Sequence, residues 1–267
     1  MNRQRQDRKI LKNRTRLLDW KKTPLPPAGE LALEIGKCFL GTPYRSGTLE
    51  SKETERLVVN LKEFDCFTFV ESVTALVILL TSSQSSFDAF RRILQKIRYR
   101  QGRVQGYPSR FHYFSDWIHD NQKKGVVTDV TRDLGGRPLK KVMNFMTTHP
   151  ELYPSLRIAA HLRRMLSVER AVSRRRLFFI PKKTVKKSEG RICDGDLVAV
   201  TTTTEGLDVQ HVGLAARVGN RVHLLHASSV EGKVVVSKKT LCRYLMENST
   251  RSGIIVARIA RGAKKQV

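Results

Sequence analysis

The side chains in this chain best suited to covalent catalysis are a cysteine and two distant histidines. Cys66 stands in Phe64-Asp65-Cys66-Phe67-Thr68-Phe69-Val70-Glu71, just after an aspartate and at the head of an apolar run. At the first turn of a helix the backbone N–H groups are unpaired, and with the helix dipole they favour negative charge on a nearby sulfur. The thiolate is the nucleophile, and an unperturbed thiol of pKa about 8.5 is only a few per cent ionised near neutrality, so an imidazole has to be brought alongside. His211, in Val209-Gln210-His211-Val212-Gly213-Leu214, opens a strand-like run and can supply it, and His226 follows in Leu225-His226-Ala227-Ser228. A polar group holding the base's second nitrogen completes the usual triad logic. Taken singly, each residue has a plain alternative: a lone cysteine is commonly a small buried hydrophobe, and a lone strand histidine a satisfied core residue.

The elements that must position these groups follow from the apolar spacing. Phe69, Val70, Val73, Leu76, Val77 and Leu80 recur at three and four, which predicts a helix from Asp65 buried on a broad face, with Cys66 at its start. Glu30–Leu40 has helical spacing and stops at Gly41, before the turn-rich Gly41-Thr42-Pro43-Tyr44-Arg45-Ser46-Gly47; Val58-Val59 reads as extended. Phe87–Tyr99 is a second amphipathic helix, residues 102–150 are irregular, and a further helix lies within 155–173. After Asp194-Gly195-Asp196 the texture changes to β-branched runs at Leu197–Thr203, Val209–Ala215, Arg221–His226, Lys233–Val236 and Ile254–Ile259. Helices followed by a strand meander predict an α+β fold, the Cys66 helix packed on an antiparallel sheet. If the strands of His211 and His226 are neighbours, the imidazoles meet. His223, at odd spacing from His226, falls on the opposite face.

At 267 residues the chain can bury one large core, and its 40% hydrophobic content is that of a globular protein. Fifty Lys and Arg against 24 Asp and Glu give a formal charge of +26, which points to an anionic partner. An anionic cell-envelope polymer fits; nucleic acid fits less well, because no basic stripe with interleaved aromatics is present. The cations concentrate in residues 1–22, with nine Lys or Arg, and 157–191, with twelve. Residues 1–27, ending in Pro24-Leu25-Pro26-Pro27, read as a basic arm and linker, residues 28–262 as one catalytic domain with a helical insertion at about 84–180, and residues 263–267 as a basic tail. Cys38, Cys66, Cys193 and Cys242 contain no C-x-x-C pair, which argues against a zinc knuckle and leaves the state of the other three thiols open. No apolar run reaches the length of about 20 residues needed for a membrane span, and residues 1–19 lack the apolar centre of a secretory signal.

In order along the chain, Gly-Thr-Pro-Tyr44-Arg-Ser-Gly, Asp65-Cys66, Gly195-Asp196-Leu197-Val198, His211-Val212-Gly213-Leu214 and His226-Ala227-Ser228 resemble the NlpC-type superfamily of papain-like cysteine peptidases that act on bacterial cell walls. The flanking Leu57-Val58-Val59-Asn60-Leu61, Arg110–Ile118 and Asn144-Phe145-Met146 are similar to one branch, the N-acetylmuramoyl-L-alanine amidase-like family, from about Gly29 to Arg258. The resemblance implies a papain-like fold and no cofactor or metal, with Cys66 as nucleophile, His211 as base and then acid, and His226 as its orienting group. The Cys66 backbone N–H is a natural oxyanion donor. Tyr44 and Asp65 would border the nucleophile. Phe67-Thr68 departs from the superfamily's small Ser-Gly and suggests a more closed cleft. In the branch-specific segment, Arg110 would pair with a substrate carboxylate, Tyr113 and Trp117 would stack on sugar, and Asp116 would join the binding set. His112, Asp116 and His119 also have helical spacing for a metal, which thiol hydrolysis does not need. The implied substrate is peptidoglycan or a muropeptide, cut between N-acetylmuramic acid and L-alanine. The alternative is a stem-peptide endopeptidase cutting after D-glutamate, and, from another class, a nucleic-acid-binding protein without hydrolase activity. The implied location is the periplasm or cell envelope; a cytoplasmic one and the oligomeric state stay open.

Overall fold

The computed structural model describes residues 3–17, 25–50, 54–82, 84 and 86–260. The basic N-terminal segment, expected as an arm, is helical over Arg3–Leu17 (α1) and lies against the body. Asp7 and Leu11, one turn apart, are buried; Asp7 Oδ1 accepts the Leu61 N–H at 3.0 Å, and Arg8 lies over the Phe87 ring. The expected tail, 263–267, lies outside the described residues.

Helix α2 (Ala28–Lys37) approaches the sheet so closely that a Cβ at Gly36 would stand 2.7 Å from Leu225 Cδ2. Helix α3 (Cys66–Thr81) is apolar nearly all round and is buried from Thr68 to Leu80 except at Ile78, as expected of a central helix. It starts in a capping box: Asp65 Oδ1 accepts the Thr68 N–H at 2.7 Å and Thr68 Oγ1 accepts the Asp65 N–H at 3.0 Å. Helix α4 (Phe87–Arg98) is capped by Ser86 and packs Phe90, Leu94 and Ile97 inward. The Val58-Val59 stretch joins no ladder; the Arg98 guanidinium holds the Val58 carbonyl.

The insertion is more than helical. It carries α5 (Phe114–Lys123), β1 (Val127–Asp129), β2 (Arg137–Leu139), α6 (Phe145–Thr148), α7 (Ala159–Ser173) and β3 (Leu177–Pro181). The remaining elements are α8 (Val185–Ser188), β4 (Leu197–Thr202), β5 (Val209–Val218), β6 (Arg221–Ser228), β7 (Lys233–Thr240), α9 (Leu241–Met246) and β8 (Arg251–Ile259). The antiparallel sheet runs β2-β3-β8-β4-β5-β6-β7, and β1 also pairs with β8, so the insertion extends one side of the sheet. Side chains alternate across it. Leu197, Ala199, Val212, Leu214, Leu225 and Ala227 enter the core beneath α2 and α3, while Val198, Val200, Ala215, Val222 and Leu224 enter a second core with Leu241 and Leu245 of α9. A third cluster, including Tyr107, Tyr113, Met143, Met165 and Val172, holds the insertion together. The fold is α+β and papain-like. No helix among the described residues is long and apolar enough to cross a membrane, and no disulfide forms among them.

Candidate active site

Cys66 is the first residue of α3, and its own N–H, that of Phe67 and that of Val212 on β5 face its sulfur. The helix start and the strand therefore converge on the thiol. The β5–β6 ladder runs from Val218↔Arg221 to Leu214↔Leu225 and stops short of Gly213 and His226, so Val212, whose N–H faces the sulfur, pairs with β4 but not with β6. Burial pushes the Cys66 thiol up to about 12, with the Asp65 carboxylate adding to the rise and the three N–H groups opposing it. The helix start thus lowers the cost of a thiolate without producing one at rest. Cys66 keeps partial exposure and is reachable.

His211 follows on the residue before Val212. Its Nε2 lies 2.6 Å from His226 Nδ1, and the two rings stand edge to face at 4.8 Å. Both rings come up on the α9 side of the sheet, 6.2 and 5.9 Å from the Tyr244 ring. Gly213 makes this pairing possible: a Cβ there would sit 2.9 Å from His226 Cβ and 3.0 Å from the Leu225 carbonyl oxygen. Burial lowers His211 to about 3, helped by His226 and the Arg251 guanidinium; burial and Arg251 lower His226 to about 4. Both imidazoles are neutral at physiological pH. His223 points elsewhere, its Nδ1 against the Ser237 carbonyl.

Tyr44 is drawn to the same place by backbone pairing. Its strand-like turn bridges Phe64, immediately before Asp65-Cys66, and its N–H bonds the Gly232 carbonyl in the β6–β7 turn at 2.8 Å. Its phenol is raised by burial and then by Cys66 and Asp65, which places its hydroxyl in their field. Cys66, Asp65 and Tyr44 therefore share one place, and Val212, whose N–H faces the sulfur, ties it in sequence to the His211–His226 pair.

The branch-specific residues are not gathered there as open binding groups. Arg110 is 6% exposed and is committed to Glu50 at 2.8 Å and Glu55 at 3.2 Å. Tyr113 is 1% exposed, its hydroxyl donating to Glu169 Oε1 at 2.6 Å. Asp116 is buried between Arg100 and Arg175. Trp117 is fully buried against Phe114, and Phe67 packs on both rings. Against the expectation of sugar stacking and carboxylate pairing by this segment stands its burial: Arg110 is held by the 50–55 loop, Tyr113 by α7 within the insertion, and Trp117 lies with Phe114 against Phe67 of α3. Phe67 packs on Phe114, and Thr68 caps the start of α3. His112 is bonded to the Tyr107 carbonyl, and no cluster of three metal-ligating groups exists among the described residues.

Two residues that sequence reasoning passed over complete the wall. A cavity of about 340 Å³ opens beside the histidines, lined by Ser228, Tyr244 and Arg251 among others. Arg251, one of 50 basic residues, has nothing in its local sequence to mark it, and α9, which carries Tyr244, is too short for a periodic signal.

Comparison with known proteins agrees with this fold. Residues 34–254 match the family model AmiA-like, described as N-acetylmuramoyl-L-alanine amidase-like. A crystal structure of an N-acetylmuramoyl-L-alanine amidase from Bacteroides uniformis is 39% identical, with a TM-score of 0.83 over 87% of this chain and 98% of that one. A Bacteroides fragilis structure bearing a provisional xylanase designation is 41% identical, with a TM-score of 0.79 over 84% and 99%. A Legionella pneumophila protein, 21% identical with a TM-score of 0.72 over 96% and 95%, shares the fold. No curated protein matches. With most of its length matched, the chain belongs to the N-acetylmuramoyl-L-alanine amidase-like family.

Proposed function

We propose that the protein is a cysteine-dependent, metal-independent N-acetylmuramoyl-L-alanine amidase acting on peptidoglycan or its muropeptides in the cell envelope. The observation that carries the reading is the Cys66 thiol, faced by three backbone N–H groups, one of them next in sequence to a histidine already bonded to a second histidine. His211 Nε2 and His226 Nδ1 share a hydrogen bond; with its proton on His211, Nδ1 of His211 is left to take the thiol proton. As the proton moves, sulfur attacks the lactyl carbonyl carbon of N-acetylmuramic acid, and the oxyanion is met by the Cys66 N–H. Collapse breaks the C–N bond, and the imidazolium returns its proton to the departing L-alanine amine. Water, deprotonated by His211, then splits the thioester into a lactyl carboxylate and the original thiol. The resting pair is neutral, so charge separates only during attack.

A glycosidase reading is not supported. That chemistry needs a carboxyl kept protonated opposite a second carboxylate. In the cavity, Glu247 is bonded by Lys239 and Arg243, which lower its pKa instead.

The test is kinetic. Cys66→Ala and His211→Ala each abolish hydrolysis of a disaccharide-tripeptide with an unchanged circular dichroism spectrum, and their double variant is no worse than either alone. His226→Ala retains residual turnover. Wild-type rates in Cys66→Ala would remove the mechanism.

A further inference from the structure

Arg251 is the unspent charge of the site. Half-buried at the start of β8, it stacks its guanidinium 3.6 Å from the Tyr244 ring centroid, donates to the Tyr244 carbonyl and also faces the Tyr244 phenol oxygen. No carboxylate among the described residues pairs with it, although Arg98 and Arg258 each hold one and Arg110 holds two. Arg217, which also lacks a carboxylate, spends its guanidinium on three backbone carbonyls instead. Of the acids bordering the same cavity, Glu247 is taken by Lys239 and Arg243, and Glu231 stands exposed on the β6–β7 turn. A guanidinium with donors to spare and no carboxylate partner among the described residues, beside the two histidines, is a fork suited to a planar anion.

The direction of the leaving group gives that anion an identity. In the proposed reaction His211 protonates the departing amine, so the peptide beyond it extends on the His211 side, into the cavity that His211, His226, Tyr244 and Arg251 line. The first carboxylate on that peptide is the α-carboxylate of the second stem residue, D-glutamate. It lies about 6 to 7 Å from the departing nitrogen at standard bond lengths and trans geometry. The guanidinium lies 3.6 Å from the centroid of the Tyr244 ring, itself centred 6.2 Å from the His211 ring, which puts it within one dipeptide's reach of the histidine.

Resting on the amidase reading, we propose that Arg251 binds the α-carboxylate of the second stem residue and makes the enzyme selective for an acid at that position over an amide. The discriminating pair of substrates is a disaccharide carrying L-Ala-D-Glu and the same compound carrying L-Ala-D-isoglutamine, which differ only in carboxylate against carboxamide. Wild-type kcat/KM is expected to be about ten- to a hundredfold lower for the carboxamide, the range of a charge-assisted bidentate contact. Arg251→Gln is expected to lose a similar factor on the acid alone and to cut both compounds equally, and Arg251→Lys to keep part of the preference. The wild-type comparison needs no variant to fold. Equal wild-type rates on the two compounds overturn the proposal, as does an Arg251→Gln enzyme that still prefers the acid. Failure of the wild type to cut either one removes the amidase reading, and this proposal with it.

Discussion

His211 and His226 are kept neutral by burial and by the nearby Arg251 guanidinium, at about 3 and 4. Protonation of a base stops it from acting, so the acid limb of the rate profile belongs where the histidine pair titrates and not near the ordinary value of about 6.5. The kcat/KM of the wild type should stay level as pH falls from 7 to about 5, and the limb should move upward in Arg251→Gln, which removes a cation opposing imidazolium. A half-maximal loss near pH 6.5 in the wild type would show that the pair is not held as described. Gly213 gives a second test. Its missing Cβ is what lets His226 approach, since the nearest atoms would be 2.9 and 3.0 Å away. Gly213→Ala should lower kcat/KM by about a hundredfold, the size of effect an ångström of misplacement produces, at about 1–3 kcal/mol of stability. Kinetics and urea unfolding on the one variant separate the two effects.

Helix α3 aims the thiol, and its fixed position depends on a buried ion pair. Glu71 accepts from Arg98 Nε at 2.7 Å with both side chains 2% exposed, and Arg98 also holds the Val58 carbonyl. Arg98→Ala leaves a buried carboxylate and an unpaired carbonyl, so a loss of about 3–5 kcal/mol is expected from urea unfolding. Tyr113→Phe should behave differently from a binding-site change. Removing the hydroxyl bonded to Glu169 should cost about 1–3 kcal/mol with KM unaltered. A raised KM with unchanged stability would return Tyr113 to the substrate.

The same elements explain what was legible in the sequence. The α3 apolar periodicity and the five β-branched runs are long enough to carry a period, and they marked the helix and sheet that set Cys66, His211 and His226 together. The strands β1 and β2, three residues each, carry none, so the insertion read as helical alone. The segment around Tyr113 and Trp117 misled for another reason: aromatic and charged residues suit a sugar site and a buried ionic core equally well, and only burial separates the two. Arg251 gave no sign, because a single cation gains meaning from the carboxylate it lacks, which is a fact of three dimensions.

For the molecule as a whole, the surplus of charge belongs to association rather than to fold. Exposed arginines and lysines of α7 and the segment after it, including Arg163, Arg164, Arg170, Lys186 and Lys187, give a cationic surface outside the catalytic cleft. We propose an anionic envelope polymer as the partner of this surface. Binding to intact cell walls should weaken steeply as salt rises from about 0.1 to 1 M, where the Debye length shrinks from about 10 to 3 Å. Turnover of a small soluble muropeptide should change far less. Equal salt sensitivity for both would place the working charges inside the cleft.

The bond that is cut decides the matter most directly. A purified disaccharide-tripeptide incubated with the enzyme and resolved by mass spectrometry should yield the intact disaccharide with a free lactyl carboxylate and a peptide whose new N-terminus is L-alanine, with no product from Cys66→Ala. Release of a peptide beginning at the diamino acid, with L-Ala-D-Glu left on the sugar, would contradict the amidase assignment and make the protein a stem-peptide endopeptidase.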